Sequence, residues 1–293
     1  HKPNELVDSA LKHKLVGILT GRDLRIAVNG DQLVKDIMTP REKLTITSDP
    51  EVSLKDAKSL MISARVEKLP IVSEKNEVLG LITLRDIILR EQRPLANLDN
   101  LGRLRVGAAI GAKDDYLERA KKLIDVGTDV LVVDVANGHA QLCIDAVERL
   151  KEQFTIDIVA GSVASREGAE NLIKVGADGI RCGIGSGAIC TTRLVAGSGV
   201  PQLSAIFDAA PVCNEAGVPL ISDGGNGNSG NMCKALAAGA DCVMVGRLIA
   251  GCDESPGQVL LKDGKRVKIY RGMAGYGANL SKAQRTGAGE PHS

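Results

Sequence analysis

The residues with the clearest chemical potential lie in one glycine-rich segment, residues 183–193 (GIGSGAICTTR). Within it, Cys190 is followed by two threonines and then by Arg193. The thiolate of a cysteine attacks electrophilic carbon, and a neighbouring cation such as Arg193 favours that form. A buried structural cysteine is the alternative for any single Cys, but the polar, glycine-rich surroundings favour a nucleophile. The segment therefore predicts covalent chemistry at Cys190.

Two further segments have residue types that bind phosphorylated ligands. Asp223 and Gly225 follow one apolar run, and Gly246 and Arg247 follow the next. Glycines let backbone N–H groups approach a phosphate, and a helix predicted to begin near Ser229 offers the positive end of its dipole. A carboxylate such as Asp223 accepts hydrogen bonds from ribose hydroxyls. Tight turns alone would also explain these glycines, but their places after successive strands favour a phosphate site.

These segments must be positioned by the elements around them, and from about residue 104 the sequence alternates between strand and helix patterns. The strand patterns are apolar runs without alternation, which are typical of parallel strands buried on both faces. Amphipathic helices fit between several of them, over 116–126, 141–151 and 167–175. The predicted strands are 105–110, 130–135, 157–160, 179–182, 219–222 and 242–245.

Six strand–helix units predict an α/β fold of the (β/α)₈ TIM-barrel type, with six of the eight strands visible. The two remaining strands would most naturally precede the first 92 residues, which would then be a smaller α+β domain inserted into the barrel. We therefore predict two domains, 1–92 and 93–293, and expect the chain to be part of a longer polypeptide.

The N-terminal segment contains an internal repeat. A short apolar run ends at Thr20 and leads into Arg22-Asp23, and a similar run ends at Thr83 and leads into Arg85-Asp86, 63 residues later. Each copy predicts a β-strand whose threonine caps a following helix. A repeat of this length is typical of tandem modules, of which the first would be truncated.

The bulk composition excludes several classes of function. The net charge is +1 and there are two Phe, three Tyr and no Trp, which argues against nucleic-acid binding. No apolar run is long enough to cross a bilayer, so no membrane partner is expected. The seven cysteines include no CxxC pair, which favours a reducing compartment, and most are expected to be buried. A cytoplasmic location is expected, while a C-terminal address for a peroxisome-like organelle stays open.

Residues 104–278 resemble the IMP dehydrogenase/GMP reductase family, and residues 1–92 resemble the pair of CBS modules inserted in many of its members. Several long motifs occur without gaps and in the family's order, which makes the resemblance specific. The matching segments are GIGSGAICTTR (183–193), GVPQLSAI (199–206), ISDGG (221–225), GADCVMVG (239–246), AGCDESPG (250–257) and KIYRGM (268–273).

The resemblance implies roles at a purine nucleotide. Cys190 would attack carbon 2 of the ring, Thr192 would handle proton transfer, and Asp223 would hold the ribose. The other residues implied at the nucleotide are Gly225, Gly246 and Tyr270 at the 5′-phosphate and Met273 at the base. At two of the phosphate-binding positions the chain departs from the family pattern, because Ala188 and Arg247 each replace a common serine. Arg247 would compensate for the lost hydroxyl as a charged donor to the phosphate.

The resemblance also implies two further ligands. A nicotinamide cofactor, NADPH or alternatively NAD, would lie near Asp134, Ser162 and Gly183, although Ser162 replaces a common asparagine and leaves that contact open. A monovalent cation, expected to be K⁺, would be bound by the carbonyls of Gly185, Gly187 and Cys190. Purine nucleotides (ATP, GTP or GMP) would bind the CBS modules, unless these are only spacers. A homotetramer that can pair into an octamer is implied as well.

Two activities share the covalent adduct, and the sequence favours GMP reductase, which converts GMP to IMP and ammonia with NADPH. IMP dehydrogenase, which oxidises IMP to XMP with NAD, is the alternative. It is less favoured because it uses an Arg-Tyr pair on a mobile flap, where this chain has Arg285-Thr286. The segment Asp134-Val135-Ala136-Asn137-Gly138 also resembles the reductase. A nucleotide-binding regulator without turnover is a second alternative, opposed by the presence of both Cys190 and Thr192.

Overall fold

The computed structural model describes residues 14–26, 31–100 and 102–272. The chain divides into two compact units, one extending to Asn97 and the other beginning at Leu98. The boundary predicted from the sequence lies five residues earlier, between residues 92 and 93. Met273 and the predicted flap segment around Arg285 and Thr286 lie outside the described residues.

The N-terminal unit consists of short strands and helices. Its elements are β1 (Gly17–Ile18), α1 (Gly21–Ile26), α2 (Val34–Ile37), β2 (Thr39–Pro40), a 3₁₀ turn (Arg41–Lys43), α3 (Leu54–Ala64), β3 (Lys68–Val72), β4 (Val78–Thr83) and α4 (Leu84–Gln92). Strands β1 and β2 form one antiparallel pair and β3 and β4 another. Ala57, Met61, Leu69 and Ile87 form its core, so α3 and α4 cover one face of the β3–β4 pair.

The repeated segments of this unit have the same local structure. The Thr20 hydroxyl accepts a hydrogen bond from the Asp23 N–H, and the Asp23 carboxylate accepts one from the Thr20 N–H. Thr83 and Asp86 form the same reciprocal pair at the start of α4. This capping box satisfies two N–H groups that have no partner within the first helical turn. The predicted strand–helix repeat therefore has a physical basis in two equivalent helix caps.

The C-terminal unit alternates six strands with helices, apart from two consecutive helices after the fourth of these strands, and a two-stranded hairpin follows. Its elements are β5 (Gly107–Ile110), α5 (Tyr116–Asp125), β6 (Val130–Asp134), α6 (Gln141–Gln153), β7 (Asp157–Val163), α7 (Arg166–Lys174), β8 (Gly179–Cys182), α8 (Thr192–Val195), α9 (Gln202–Ala216), β9 (Leu220–Asp223), α10 (Ser229–Ala237), β10 (Cys242–Met244), α11 (Arg247–Ala250), β11 (Val259–Lys262) and β12 (Lys265–Lys268).

Strands β5 to β10 form one sheet in chain order, and every neighbouring pair is parallel. This order is that of consecutive β/α units in a TIM barrel, so the predicted fold class is confirmed. All six strands lie within three residues of their predicted limits. Helix α9, which contains Pro211, and the antiparallel hairpin β11–β12 were not predicted, and neither were the short helices α8 and α11. Proline disfavours a helix interior, which is why the pattern in α9 is ambiguous.

The core of this unit lies between the sheet and its covering helices. Leu131, Ile158, Ile180 and Leu220, one from each of four neighbouring strands, are completely buried. Side chains buried on a strand explain why the strand patterns are continuous apolar runs. Among the described residues, no helix combines the length and the apolar character needed to span a membrane.

The expectation that most cysteines are buried was wrong. Cys143, Cys182 and Cys213 are buried, whereas Cys233, Cys242 and Cys252 are exposed and Cys190 is half-buried. The apolar runs that contain Cys233 and Cys242 lie on α10 and β10, at one edge of the six-stranded sheet, where neighbouring strands cover less surface.

Candidate active site at the carboxyl ends of the strands

Strands β8 and β9 approach each other closely where they end. A Cβ atom added to Gly183, the first residue after β8, would lie 1.9 Å from the carbonyl oxygen of Asp223, the last residue of β9. Gly183 also has a φ of 142°, which residues with side chains rarely adopt. Glycine is thus required at position 183, predicted as a cofactor contact, because β8 and β9 leave no space for a side chain.

The glycine-rich loop after β8 is bound to the rest of the sheet by a residue that the sequence analysis missed. The Gln202 side chain, at the start of α9, donates hydrogen bonds to the Cys182 carbonyl (2.9 Å) and to the Ser222 Oγ (3.1 Å). It accepts one from the Ser186 hydroxyl at 2.6 Å. The Gly225 N–H donates to the Ser186 carbonyl at 2.9 Å. These bonds join the loop of the candidate nucleophile to the predicted phosphate segment.

Cys190 lies in this loop beside its predicted partner. Its Sγ is 3.2 Å from the Oγ1 of Thr192, within hydrogen-bonding distance. The Thr192 hydroxyl and backbone N–H both stabilise a thiolate at this position, and they lower the pKa of the Cys190 thiol. Burial and the Asp223 carboxylate oppose this effect, while Arg193 supports it. Arg193, the cation predicted to favour the thiolate, has a smaller influence on the pKa of Cys190 than Thr192 has.

The buried cysteines of the same unit have the opposite character. Burial raises the pKa of Cys143 and of Cys213 to about 11 and that of Cys182 to about 12. Their thiols stay protonated at neutral pH, and a protonated thiol is a poor nucleophile. Cys190 therefore differs from these three residues in the direction of its pKa shift and in its exposure, as a nucleophile requires.

Two carboxylates at the strand ends share one buried cation. The Arg181 side chain on β8, only 7% exposed, donates from Nη1 to the Asp223 Oδ2 at 2.7 Å and from Nη2 to the Asp134 Oδ1. Asp134 and Asp223 end β6 and β9, so their predicted sites lie on either side of β8. Arg181 was missed, although a charged residue within an apolar strand pattern is a signal that the sequence contains.

The predicted phosphate residues Gly246 and Tyr270 also lie together. A Cβ atom at Gly246 would lie 2.5 Å from the Tyr270 hydroxyl, so a side chain at 246 would displace the tyrosine. Arg247 is exposed and begins α11 directly after Gly246. The Asn226 side chain, missed by the sequence analysis, donates to the Ser222 carbonyl (2.8 Å) and the Met244 carbonyl (3.3 Å) and so joins the ends of β9 and β10.

The model of the IMP dehydrogenase / GMP reductase domain matches residues 16–290 of the chain. The chain belongs to the IMP dehydrogenase/GMP reductase family. Its relatives include the GMP reductase of Leishmania major, which is 50% identical over 283 residues that cover 96% of this chain and 57% of the relative. The IMP dehydrogenase of Nitrosopumilus maritimus is 49% identical over 285 residues, covering 97% of this chain and 59% of that protein.

Solved structures of the family agree with the fold. A cysteine-to-alanine variant of GMP reductase from Trypanosoma brucei, in complex with guanosine 5′-monophosphate, superposes with a TM-score of 0.88 at 48% identity. That match covers 97% of this chain and 60% of the solved one. The same enzyme in complex with guanosine 5′-triphosphate gives a TM-score of 0.78 at 46% identity, covering 84% and 58%. The chain thus spans about three fifths of the length of the relatives named here.

Of the residues that the family places near a nicotinamide cofactor, Asp134 and Ser162 differ in accessibility. The Asp134 side chain is 49% exposed, whereas Ser162 is only 7% exposed. The Ser162 backbone is also held in place, because its N–H donates to the Val135 carbonyl (3.1 Å) and its carbonyl accepts from the Gly138 N–H (2.7 Å). Asp134 therefore fits a cofactor contact, while Ser162 offers little surface to one.

The carbonyls predicted to bind a monovalent cation belong to the loop of Cys190. The Gly187 carbonyl accepts a hydrogen bond from the Cys190 N–H at 3.1 Å, which leaves its second lone pair for a cation. Gly185 has a φ of 80°, a backbone conformation that glycine adopts readily. Carbonyl oxygens in such a turn are hard, neutral donors, a class that fits K⁺.

Proposed function

We propose that this chain contains the catalytic site of a GMP reductase, which converts GMP to IMP and ammonia at the expense of NADPH. The observation that carries the proposal is the contact between Cys190 and Thr192 in a loop that is bonded to the end of β9. Family membership supplies the substrate class, and relatives named GMP reductase at 50% identity favour the reductase.

In the proposed reaction, the Cys190 thiolate adds to carbon 2 of the guanine ring. The 2-amino group then takes up a proton and leaves as ammonia, with Thr192 positioned to move protons at the sulfur and the ring. NADPH, when bound, supplies the hydride that reduces carbon 2. Breaking the carbon–sulfur bond returns the electron pair to Cys190 and releases IMP. The thiolate is favoured by the same Thr192 groups that lower the pKa of Cys190.

The other residues would bind and orient the substrate. Asp223 would accept hydrogen bonds from the ribose hydroxyls. The paired Gly246 and Tyr270, with Arg247 beside them, would hold the 5′-phosphate through a backbone N–H, a hydroxyl and a guanidinium. Asp134 would lie on the nicotinamide side. Met273 is proposed at the base from the family motif alone, because it lies outside the described residues.

IMP dehydrogenase remains the second candidate, because the Nitrosopumilus relative of that name is nearly as similar as the reductases. The sequence features that separate the two activities are the segment 134–138 and Thr286. The first favours the reductase by resemblance, and the second is outside the described residues. A regulator without turnover is a third candidate, which the activated Cys190 opposes.

The test is nicotinamide absorbance with full-length protein in buffer containing K⁺, comparing GMP plus NADPH with IMP plus NAD. Loss of NADPH with release of one ammonia per nucleotide would support the reductase. Formation of NADH from IMP would instead identify a dehydrogenase. No change in absorbance with any pair of substrates would overturn both enzymatic proposals. Replacing K⁺ with a tetraalkylammonium ion should lower the rate if the 183–193 loop binds a cation.

We further propose that the N-terminal unit is a CBS pair that binds purine nucleotides such as ATP, GTP or GMP. A cleft of about 440 Å³ supports this, since it lies at the start of α4 beside the repeated capping box. It is lined by Glu67, Lys68, Thr83, Leu84, Arg85, Ile88 and Leu89. The complex of the Trypanosoma brucei enzyme with guanosine 5′-triphosphate is consistent with such a role.

Nucleotide-dependent thermal unfolding of the full-length protein tests this second proposal, with Arg85→Ala as the variant and Arg93→Ala as the matched control. A shift in the melting temperature that Arg85→Ala removes and Arg93→Ala retains would support it. The absence of any shift in the wild type would leave the unit as a spacer. A tetramer that pairs into an octamer, and a cytoplasmic location, are also proposed on the basis of the family resemblance and the free cysteines.

A further inference from the structure

Arg181 is a buried cation that has no role in the proposed reaction, and its surroundings suggest one. It is 7% exposed, and its two Nη atoms donate to carboxylates of two different strands, Asp223 and Asp134. Its Nε is buried and has no hydrogen-bond partner within the part of the chain that the structure describes. An arginine held this way is costly to bury, so purely structural packing is a poor explanation for it.

Without Arg181, the Asp223 carboxylate would have a second carboxylate, Asp134, near it and, within the described residues, no cation to compensate. The titratable groups that act on the Asp223 carboxylate are Arg181 on β8 and Asp134 on β6. Asp223 acts in turn on the thiols of Cys182 and Cys190. Burial, together with Asp134, raises the pKa of Asp223, and Arg181 opposes both effects. A guanidinium keeps its charge at every pH that a protein tolerates. It is therefore the group that favours a charged Asp223 in this half-buried position.

Besides supplying a charge, Arg181 orients the carboxylates that it contacts. Arg181 bonds one oxygen of Asp223, Oδ2, and so restricts the orientation of the carboxylate at the end of β9. A guanidinium donates in a rigid planar fork, so the same side chain also fixes the Asp134 carboxylate. A lysine has one compact ammonium and would supply the charge without the two separate Nη donors that Arg181 directs at the two carboxylates.

We propose that Arg181 is a positioning residue that keeps the Asp223 carboxylate charged and oriented to accept the hydroxyls of the nucleotide ribose. The proposal rests on the proposed function, in which Asp223 binds the ribose of GMP. Its consequence is that GMP affinity falls as the pH is lowered through the range in which Asp223 takes up a proton. Arg181 and Asp134 move that range in opposite directions.

The experiment is a calorimetric titration of full-length protein with GMP, without cofactor, from about pH 5 to pH 8. Arg181→Gln is expected to raise the midpoint of the acid limb by about one pH unit and to weaken binding on the plateau about tenfold. Asp134→Asn is expected to lower the midpoint, because it removes a like charge. Arg181→Lys should keep the midpoint near that of the wild type and still lose plateau affinity. The phosphate of GMP titrates equally in every variant, so only differences between variants are interpreted.

Arg166→Gln, an exposed arginine on α7, is the matched control and should leave both quantities unchanged. Circular dichroism at each pH establishes that each variant is folded, and Arg181→Lys with Asp134→Asn keep the test decisive if Arg181→Gln unfolds. Identical acid limbs in the wild type, the Arg181 variants and Asp134→Asn would overturn the inference. Failure of the wild type to bind GMP at any pH would instead count against the proposed function.

Discussion

The two ends of the six-stranded sheet use aspartate in different ways. At the amino end, three aspartates each follow a Gly-x pair and directly precede a strand. Each accepts a hydrogen bond from a backbone N–H at the start of the preceding strand. The pairs are Asp129 with the Val106 N–H, Asp178 with the Ile158 N–H and Asp241 with the Leu220 N–H, at 2.7–2.8 Å. These carboxylates accept hydrogen bonds from backbone N–H groups of the chain, and they join adjacent strands.

At the carboxyl end, Asp134 and Asp223 share the buried Arg181 and are partly exposed, by 49% and 28% of their side chains. Their partner is a side chain, and part of each carboxylate is left accessible. The comparison shows that residue type alone does not distinguish a structural aspartate from one available for chemistry in this fold. The two roles are distinguished by the end of the strand on which the carboxylate lies and by whether its donor is a backbone N–H or a side chain.

The largest effect that tests this comparison is expected from Cys190→Ala, at the carboxyl end. Turnover should fall by at least ~10³-fold, because no other group of the loop can form the covalent adduct. The midpoint of urea unfolding should barely change, since Cys190 is only half-buried. Cys242→Ala, on β10 of the same sheet, is the matched control and should retain activity. Equal activity in the two variants would remove Cys190 from the mechanism.

The next largest effect is expected from Asp223→Asn. Losing a charged acceptor for the ribose should weaken GMP binding by roughly 10- to 100-fold, which corresponds to about 1.4–2.8 kcal/mol. The measurement is the dissociation constant by calorimetry at pH 8. Asp178→Asn, at the opposite end of the sheet, should leave that constant unchanged. Comparable losses of affinity in both variants would contradict the division between the two ends.

Asp178→Ala should act on stability instead. It leaves the Ile158 N–H without its acceptor and removes the ion pair with Lys151, at a cost of about 1–3 kcal/mol in the free energy of unfolding. Urea unfolding measures this loss, and the KM for GMP should not change. Lys151→Met removes the partly exposed ion pair alone and should cost only about 0.2–1 kcal/mol. A larger loss from Lys151→Met would mean that the ion pair, and not the backbone bond, matters.

The smallest effect concerns the pH dependence of alkylation. Thr192 lowers the pKa of Cys190, whereas burial and Asp241 raise that of Cys242. Cys190 therefore keeps its thiolate at pH values where Cys242 is protonated. Its iodoacetamide rate should be a few-fold higher at pH 7.5 and should reach half its maximum at a lower pH, as peptide mass spectrometry can measure. If Cys242 reached half its maximum at the lower pH, the assigned effect of Thr192 would be wrong.

The sequence predicts the carboxyl end of the sheet better than the amino end. Apolar runs locate the six strands, because parallel strands buried on both faces need continuous apolar residues. The glycine-rich loop and Asp223 are recognisable because they follow those runs. The site residues Arg181 and Gln202 were missed, since their contacts join segments 16 to 47 residues apart in the chain. The Gly-x-Asp pattern at residues 127–129, 176–178 and 239–241 is a sequence signal for the strand-joining aspartates of the amino end, and it was not recognised.

Gly183 has a consequence for how this site can change over evolutionary time. A single methyl group at that position would collide with the backbone of Asp223, so no substitution can be accepted directly after β8 unless the end of β9 moves. The loop that carries the nucleophile and the carboxylate proposed to hold the ribose are therefore constrained together. A descendant of this chain could acquire a new substrate by changing the exposed loop, but it would inherit the spacing of nucleophile and carboxylate as one unit.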